Sequence, residues 1–193
     1  MINVKKIVVG DLRTNCYIVF DNKTNEAIAI DTGAEFEKIN KFINENSLKL
    51  KAILLTHGHF DHISACLNFQ KLGVPIYIHD KDADKCENNE LNLSSNFSEE
   101  EIQTFKPNYI IKGKEQALQI GDFKILAIHT PGHSEGSCCF LIENYLFSGD
   151  TIFEHGYGRT DFYDGSSLKL RESIKKLLPY INEKFIICDG HTN

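Results

Sequence analysis

Short runs of apolar and β-branched residues recur along the chain, separated by turns rich in Asp, Asn and Gly. Runs of this length and composition are typical of β-strands. The first half of the sequence contains the predicted strands Ile2–Val9, Cys16–Phe20, Ala27–Ile30, Lys51–Leu55 and Ile76–Ile78. The second half contains Tyr109–Ile111, Ala117–Ile120, Phe123–His129, Ser137–Ile142, Tyr145–Phe147 and Phe185–Cys188. The strands therefore fall into two groups.

Apolar residues at helical spacing separate these strands. The spacing predicts helices over Glu35–Asn46, Ile63–Lys71 and Leu168–Leu178. The polar middle of the chain predicts a helix over Asp80–Glu90 and a surface loop over Asn92–Glu101, above or beside a site. Two groups of strands interleaved with helices fit an α/β fold in which two mixed sheets pack face to face with helices outside. No linker or repeat breaks the pattern, which predicts a single domain over residues 1–193.

Composition narrows the class of protein. The chain has 193 residues, 41% hydrophobic and 25% charged, which is ordinary for a globular domain with a full core. The formal net charge of −6 argues against nucleic-acid partners, and no apolar run approaches the roughly 18 residues of a membrane span. The N-terminus carries no recognisable signal peptide. The six cysteines form no CxxC pair, which predicts reduced thiols in a cytoplasmic protein.

The candidate chemistry begins with the stretch Thr-His-Gly-His-Phe-Asp-His at residues 56–62, directly after a buried strand. His57 and His59 are two residues apart, so an extended backbone turns both rings to the same side. Asp61 and His62 fall where the next helix begins, so they form a second group of candidate ligands beside the first. Imidazole and carboxylate together suit Zn, Fe, Mn or Ni rather than the all-oxygen shell of Ca.

Other metal-competent side chains also follow apolar strands. His133 lies in His-Thr-Pro-Gly-His-Ser, Asp150 in Ser-Gly-Asp-Thr, and His191 in Asp-Gly-His. Ligands at strand ends beside glycine are the arrangement that a cleft at one edge of the sheets would use.

Taken together, these motifs resemble the metallo-β-lactamase-fold hydrolases, and are most similar to the glyoxalase II-like branch of hydroxyacylglutathione hydrolases. The stretch Gly-Tyr-Gly-Arg-Thr-Asp from Gly156 strengthens the resemblance. The resemblance implies a four-layer αββα sandwich with two divalent metal ions, by default zinc, with iron or manganese fitting the same ligands. It implies one ion held by His57, His59 and His133, a second held by Asp61, His62 and His191, and Asp150 bridging both.

The same resemblance implies a reaction and a substrate. It implies that a hydroxide bridging the two ions hydrolyses a small-molecule thioester or ester, with Asp61 acting both as ligand and as orienter of the nucleophile. Arg159 and Tyr163 stand in a loop that resembles the glutathione-binding loop of glyoxalase II, which implies substrate contacts. Arg159 could equally form a structural ion pair with Asp161, and both interpretations stay open.

Several residues have simpler interpretations. His79 and His129 are expected to pack structurally, and His155 could touch substrate or stand in an exposed loop. Asp31 is expected to hydrogen-bond the backbone near the metal loop. Glyoxalase II also has a C-terminal helical region with further basic residues, whereas this sequence stops at Asn193. That predicts an incomplete glutathione clamp and places His191 beside a mobile terminus.

Rival functions make different predictions. A mononuclear iron persulfide dioxygenase of the same fold would use two histidines and an aspartate, leaving Asp61, His62 and His191 as spectators. A β-lactamase is less favoured, because such enzymes often place a cysteine in the second site, and an RNA-processing nuclease would be expected to carry a basic surface. A flavin-partnered di-iron reductase would carry glutamate at His59 and a flavodoxin domain. A non-enzymatic metal-binding protein would keep its role after Asp61→Ala.

Overall fold

The computed structural model describes residues 2–99 and 102–192 of the chain. Its first sheet is six-stranded and has the strand order β1-β2-β3-β4-β5-β6. These strands are β1 (Ile2–Val9), β2 (Thr14–Asp21), β3 (Glu26–Ile30), β4 (Lys49–Leu54), β5 (Ile76–His79) and β6 (Tyr109–Ile111). The first three strands form an antiparallel meander, and β3 to β6 run parallel, so the sheet is mixed.

The second sheet is five-stranded and has the order β13-β10-β9-β8-β7. Its strands are β7 (Glu115–Ile120), β8 (Phe123–His129), β9 (Cys138–Ile142), β10 (Tyr145–Gly149) and β13 (Ile186–Asp189). Neighbours pair antiparallel except β10 and β13, which run parallel. A small hairpin of β11 (Ile152–Phe153) and β12 (Gly156–Tyr157) follows β10.

Side chains along each strand point alternately to the two faces of its sheet, so one face packs against the other sheet and the opposite face packs against helices. In β3, Ile28 and Ile30 join side chains of the second sheet, such as Phe140, in the core between the sheets. Ala27 and Ala29 face the other way, toward the outer core beneath α1 (Phe36–Glu45) and α3 (Cys66–Lys71). Helix α5 (Ser167–Leu177) packs on the outer face of the second sheet. The predicted αββα sandwich of two mixed sheets is confirmed.

The connecting segments differ from the predicted elements. The helix predicted over Ile63–Lys71 is divided into α2 (Phe60–Ile63) and α3, and the Ala65 N–H between them bonds the Thr32 carbonyl at 3.0 Å. The predicted helix over Asp80–Glu90 is a 3-10 helix over Asp80–Glu87. The Asn92–Glu101 segment is not only loop. It contains α4 (Ser94–Phe97), and Glu100 and Glu101 at its end lie outside the described residues.

Parallel pairing brings the candidate ligand segments to one edge of the sandwich. Asp31 follows β3 and Thr56 follows the neighbouring β4. The Thr56 N–H donates a hydrogen bond to Asp31 Oδ1 at 2.8 Å. Gly190 follows β13, and its N–H bonds the Gly149 carbonyl at the end of β10 at 2.9 Å. The Cys138 N–H of the second sheet bonds the Thr56 carbonyl at 2.7 Å and joins the two halves.

Within the described residues, no helix combines the length and apolar character needed to cross a bilayer.

Candidate metal centre

The first donor cluster consists of His57, His59 and His133, all buried. Their ligand atoms lie within 4.8 Å of one another, and His59 Nδ1 is 3.0 Å from His133 Nε2. The rings of His57 and His59 stand at 87° to each other, so their nitrogens approach a common point from different directions. This is the set implied for one metal ion, with three nitrogens and open positions left over.

The second cluster consists of Asp61, His62 and His191. His62 Nε2 lies 3.3 Å from Asp61 Oδ2 and 3.3 Å from His191 Nε2, and His191 Nε2 lies 3.4 Å from Asp61 Oδ2. His62 is fully buried, whereas His191 is partly exposed. These are the residues implied for the second ion.

Asp150 lies between the two clusters. Its Oδ2 is 3.5 Å from His133 Nε2 and 3.2 Å from His191 Nε2, while Oδ1 is 3.4 Å from His62 Nε2. Gly190 leaves room for this carboxylate, because a Cβ there would lie 2.0 Å from Asp150 Oδ1. Asp150 therefore lies within reach of the donor atoms of both clusters and would be the residue shared if both held an ion.

Hydrogen bonds behind the clusters orient the histidine rings. The Nδ1 atoms of His62, His133 and His191 lie 2.9 Å from Asp31 Oδ2, the Arg159 carbonyl and the Leu12 carbonyl, respectively. Each of these oxygens can accept a hydrogen bond from an Nδ1–H group, which leaves Nε2 as the nitrogen that faces the site. Such outer bonds fix the tautomer and increase ligand basicity.

Asp31 hydrogen-bonds the backbone of the metal loop, as predicted, and it also bonds two side chains there. Its Oδ1 accepts the Thr56 N–H at 2.8 Å, and Oδ2 accepts the Thr56 hydroxyl at 2.6 Å together with His62 Nδ1. The Thr56 oxygen lies 3.1 Å from His57 Nδ1, which can donate to it. One buried carboxylate therefore orients a ring from each cluster.

Sequence reasoning missed a second buried carboxylate, Asp82 in the 3-10 helix. It accepts the Gly58 N–H at 2.9 Å, the Ser134 hydroxyl at 2.7 Å and the Gly136 N–H at 2.7 Å. Lys85 Nζ donates to it at 2.6 Å. These bonds hold the loop between His57 and His59 and the loop after His133. In the sequence, the buried pair is indicated only by the three-residue spacing of Asp82 and Lys85 and by the neighbouring Cys86.

Electrostatics divide the site into neutral rings and charged groups. Burial, reinforced by the neighbouring histidines, holds the pKa of His57 well below 6.5 and that of His59 at about 4. Burial also lowers the pKa of His62, but Asp61, Asp150 and Asp31 outweigh it and raise that pKa well above 6.5. For Asp61, burial raises the pKa and His62 lowers it more, to about 2.

The donor set fits divalent cations. His57 Nε2 and Asp150 Oδ1 are buried without a hydrogen-bond partner, which is unfavourable unless a cation satisfies them. The carboxylates that raise the pKa of His62 create a field that favours positive charge in the second cluster. A metal ion satisfies the same field while the ring stays neutral, as ligation requires. Imidazole and carboxylate donors suit zinc, iron and manganese.

The two predicted substrate-contact residues are placed differently. Arg159 lines the cavity over the clusters, but its Nε and Nη2 bond the two Asp161 oxygens at 2.6 and 2.7 Å. Its guanidinium also lies 4.4 Å from the Phe162 ring centroid. Tyr163 donates its hydroxyl to the Leu91 carbonyl at 3.0 Å and does not line this cavity. The ion pair that the sequence left open is therefore present, and substrate contact stays a prediction for both residues.

The remaining histidines lie outside the clusters. His79 and His129 stack with ring centroids 4.0 Å apart and an interplanar angle of 7°. Their Nε2 atoms bond the carbonyls of Gly113 and Glu135 at 3.1 and 2.9 Å, which agrees with a packing role. His155 is exposed beside the small hairpin.

His191 was expected to lie beside a mobile terminus; Asn193 itself lies outside the described residues, but the residues around His191 are bonded to the fold. His191 forms a β-bridge with Thr14, and the Asn15 N–H bonds the Gly190 carbonyl at 2.8 Å. On its other side, the Thr192 hydroxyl donates to Asn15 Oδ1 at 2.6 Å. Bonds to β2 on both sides hold this ligand in place.

A cavity of about 470 Å³ opens above the donor clusters. Its lining combines donor residues with apolar side chains and one arginine: Leu12, His59, Phe60, Asp61, Leu93, Phe97, His133, Asp150, Phe153, Arg159, Phe162 and His191. A space of this size, with polar groups at its base, is typical of a small-molecule site.

An αββα sandwich with paired donor clusters at one edge is typical of metal-dependent hydrolases. A model of the metallo-beta-lactamase superfamily matches residues 9–191, and the chain belongs to that superfamily. Hydroxyacylglutathione hydrolase GloC from Haemophilus influenzae is 36% identical to it over 194 residues, covering 98% of this chain and 90% of GloC.

Solved structures agree with this placement. The BLEG-1 B3 metallo-beta-lactamase superposes with a TM-score of 0.92 at 35% identity, covering 99% of this chain and 92% of BLEG-1. TTHA1623 in a di-iron-bound form superposes with a TM-score of 0.81 at 30% identity, covering 98% of this chain and 93% of that protein.

Proposed function

We propose that this protein hydrolyses thioesters of small molecules with two divalent metal ions as cofactors. The observation that carries the proposal is the pair of donor clusters that share Asp150 at the base of one cavity. The similarity to GloC, described as a hydroxyacylglutathione hydrolase, supports a thioester as the bond that is cleaved.

The proposed ligands divide as the clusters do. His57, His59 and His133 would hold one ion, Asp61, His62 and His191 the other, and Asp150 both. Zinc is the default metal, and the di-iron form of TTHA1623 supports iron as an alternative. When bound, two such ions lower the pKa of water toward neutrality and polarise a carbonyl group.

Asp61 is the residue proposed to orient the nucleophile. Its Oδ2 accepts the Thr14 hydroxyl at 2.9 Å, which fixes the carboxylate over the space between the clusters. Its pKa of about 2 keeps it ionised at neutral pH, so an oxygen can accept a hydrogen bond from the attacking water and orient it. The cavity above the clusters is large enough to hold the thioester with its carbonyl near Asp61.

The proposed site of action is the cytoplasm, because the six cysteines are all buried, unpaired thiols. Thiols of this kind are typical of reducing compartments.

Metal analysis combined with a substrate panel tests the proposal. The panel contains neutral thioesters, S-lactoylglutathione and a penicillin, the last because BLEG-1 is described as a metallo-beta-lactamase. We expect two metal equivalents per chain, thioester turnover, and loss of turnover on chelation. One iron per chain without thioester turnover would indicate the mononuclear dioxygenase chemistry instead. Penicillin turnover faster than that of every thioester would move the proposal to β-lactams.

A further inference from the structure

The walls of the cavity are strongly apolar above the donor clusters. The apolar part of the lining consists of Leu12, Phe60, Leu93, Phe97, Phe153 and Phe162. Leu12 and Phe97 are 53% and 61% exposed, although such large apolar side chains are normally buried. Exposed apolar groups gathered around one opening are typical of a surface that binds an apolar partner.

Positive charge is scarce on these walls. Among the described residues of the lining, Arg159 is the one lysine or arginine. Its guanidinium forms two hydrogen bonds to Asp161 and stacks on Phe162, so its charge is already matched. A substrate carboxylate entering the cavity would compete with Asp161 for it.

A neighbouring groove continues from the cavity and is acidic. It shares Leu12, Phe60, Asp61 and Phe97 with the cavity and has a similar volume, about 470 Å³. Its other described lining residues include Asp11 and Glu99, both exposed, and no lysine or arginine. Because Asp61 lines both spaces, a thioester carbonyl above the clusters could extend one substituent into each.

We propose that the substrate is a thioester with an apolar acyl chain in the cavity and an uncharged thiol carrier in the acidic groove. This inference rests on the proposed thioester hydrolysis and specifies its substrate. Apolar walls bind each added methylene of the chain. A glutathione carrier, with two carboxylates and one ammonium group at neutral pH, brings a net negative charge beside Asp11 and Glu99.

Matched thioesters test both halves of the proposal with the metal-loaded enzyme. Acetyl, butyryl and hexanoyl thioesters of N-acetylcysteamine vary the chain, and hexanoyl glutathione varies only the carrier. We expect kcat/KM to rise about twofold to fourfold per methylene. We also expect the neutral hexanoyl thioester to react at least about tenfold faster than hexanoyl glutathione. This difference in rate should become smaller at high salt, because salt screens the repulsion.

Variants of the walls separate the two causes. Phe97→Ala should flatten the dependence on chain length, so that kcat/KM falls more for the hexanoyl than for the acetyl thioester. Leu72→Ala is the matched control, because Leu72 is an exposed leucine at the C-terminal end of α3 and lines neither the cavity nor the groove. It should leave the dependence on chain length unchanged. The double variant Asp11→Asn, Glu99→Gln should raise the ratio of kcat/KM for hexanoyl glutathione to kcat/KM for the neutral hexanoyl thioester about threefold.

Binding measurements keep the inference separate from the proposed function. S-hexyl-N-acetylcysteamine and S-hexylglutathione are uncleavable thioethers, and calorimetry should show tighter binding of the first. A flat chain-length dependence, or faster turnover of the glutathione thioester, overturns the inference while thioester hydrolysis stands. Failure to turn over any thioester, with normal binding of the neutral thioether, overturns the proposed function instead.

Discussion

The carboxylate of Asp82 accepts the backbone N–H of Gly58 at 2.9 Å, between the two histidines of the first donor cluster. The same carboxylate bonds Ser134, next to His133, at 2.7 Å. A side chain that ligates nothing thus ties together the two loops that supply all three nitrogens. The ion pair with Lys85 at 2.6 Å keeps its charge compensated in the interior.

Asp82→Asn should therefore weaken both folding and metal binding. The amide cannot accept from every donor around it and leaves Lys85 with Asp164 as its remaining carboxylate. We expect a loss of about 3 kcal/mol in the free energy of unfolding. We also expect about 10- to 100-fold weaker metal affinity. Urea unfolding and competitive metal titration measure the two quantities.

Asp84→Asn is the matched control, because Asp84 is exposed in the same 3-10 helix. It should leave stability and metal affinity near the wild-type values. Equal metal affinity in Asp82→Asn and wild type would show that the loops keep their geometry without this carboxylate.

The acid side of the stability profile should also depend on Asp82. Burial raises its pKa, but Lys85 and the surrounding hydrogen bonds lower it more, so the folded-state pKa lies below 3.8. The unfolded chain then takes up the proton first as the pH falls. The contribution of Asp82 is therefore fully present above about pH 4 and lost as the pH falls through the folded pKa.

Urea unfolding of metal-stripped wild type and Asp82→Asn at several pH values checks this sign. The stability gap between the two proteins should be constant between pH 5 and 7, on the order of the neutral-pH difference, and shrink below about pH 4. A gap that widens on acidification would contradict the assignment.

Gly190→Ala should disturb the shared carboxylate. The new methyl group would lie 2.0 Å from Asp150 Oδ1 and 2.9 Å from the Gly149 carbonyl carbon, so Asp150 must move. We expect loss of at least one metal equivalent and of hydrolysis, measured by metal analysis and turnover. Gly73→Ala is a useful comparison, because its φ of +86° strains a side chain in open space far from the site. It should lower stability while metal content stays normal.

Much of this arrangement is visible in the sequence, for physical reasons that can be named. Short apolar, β-branched runs and their turns predict the strands, and the two-residue spacing of His57 and His59 places both rings on one side. The resemblance supplies the distant members of the clusters. Asp82 stayed hidden because its partners, Gly58 and Gly136, donate backbone N–H groups that carry no sequence signal. The anchoring of His191 depends on its bridge to Thr14 across the fold, which local pattern cannot show.

Asp61→Ala separates an enzyme from a metal-binding protein. The change removes both the carboxylate proposed to orient the nucleophile and one donor of the second cluster. We expect kcat/KM to fall by about 10²- to 10⁴-fold. Asp122→Ala, an exposed carboxylate on the turn before β8, serves as control. Unchanged turnover in Asp61→Ala would remove this residue from the mechanism.

Metal removal should abolish activity without unfolding the chain. The donor clusters lie at one edge of the sandwich, whereas the packing between the sheets involves large buried side chains such as Phe140 and Phe147. Metal that binds only the folded state increases the free energy of unfolding, by about 2.7 kcal/mol when free metal is at 100 times its dissociation constant. Removing the metals removes this contribution. We therefore expect chelation to lower Tm by several degrees, with far-UV circular dichroism unchanged at 25 °C. Readdition of zinc or iron should restore both Tm and turnover, and the metal that restores turnover at the wild-type rate is the better candidate for the native cofactor. A chain that unfolds on chelation would instead show that the donor clusters hold the two halves of the sandwich together.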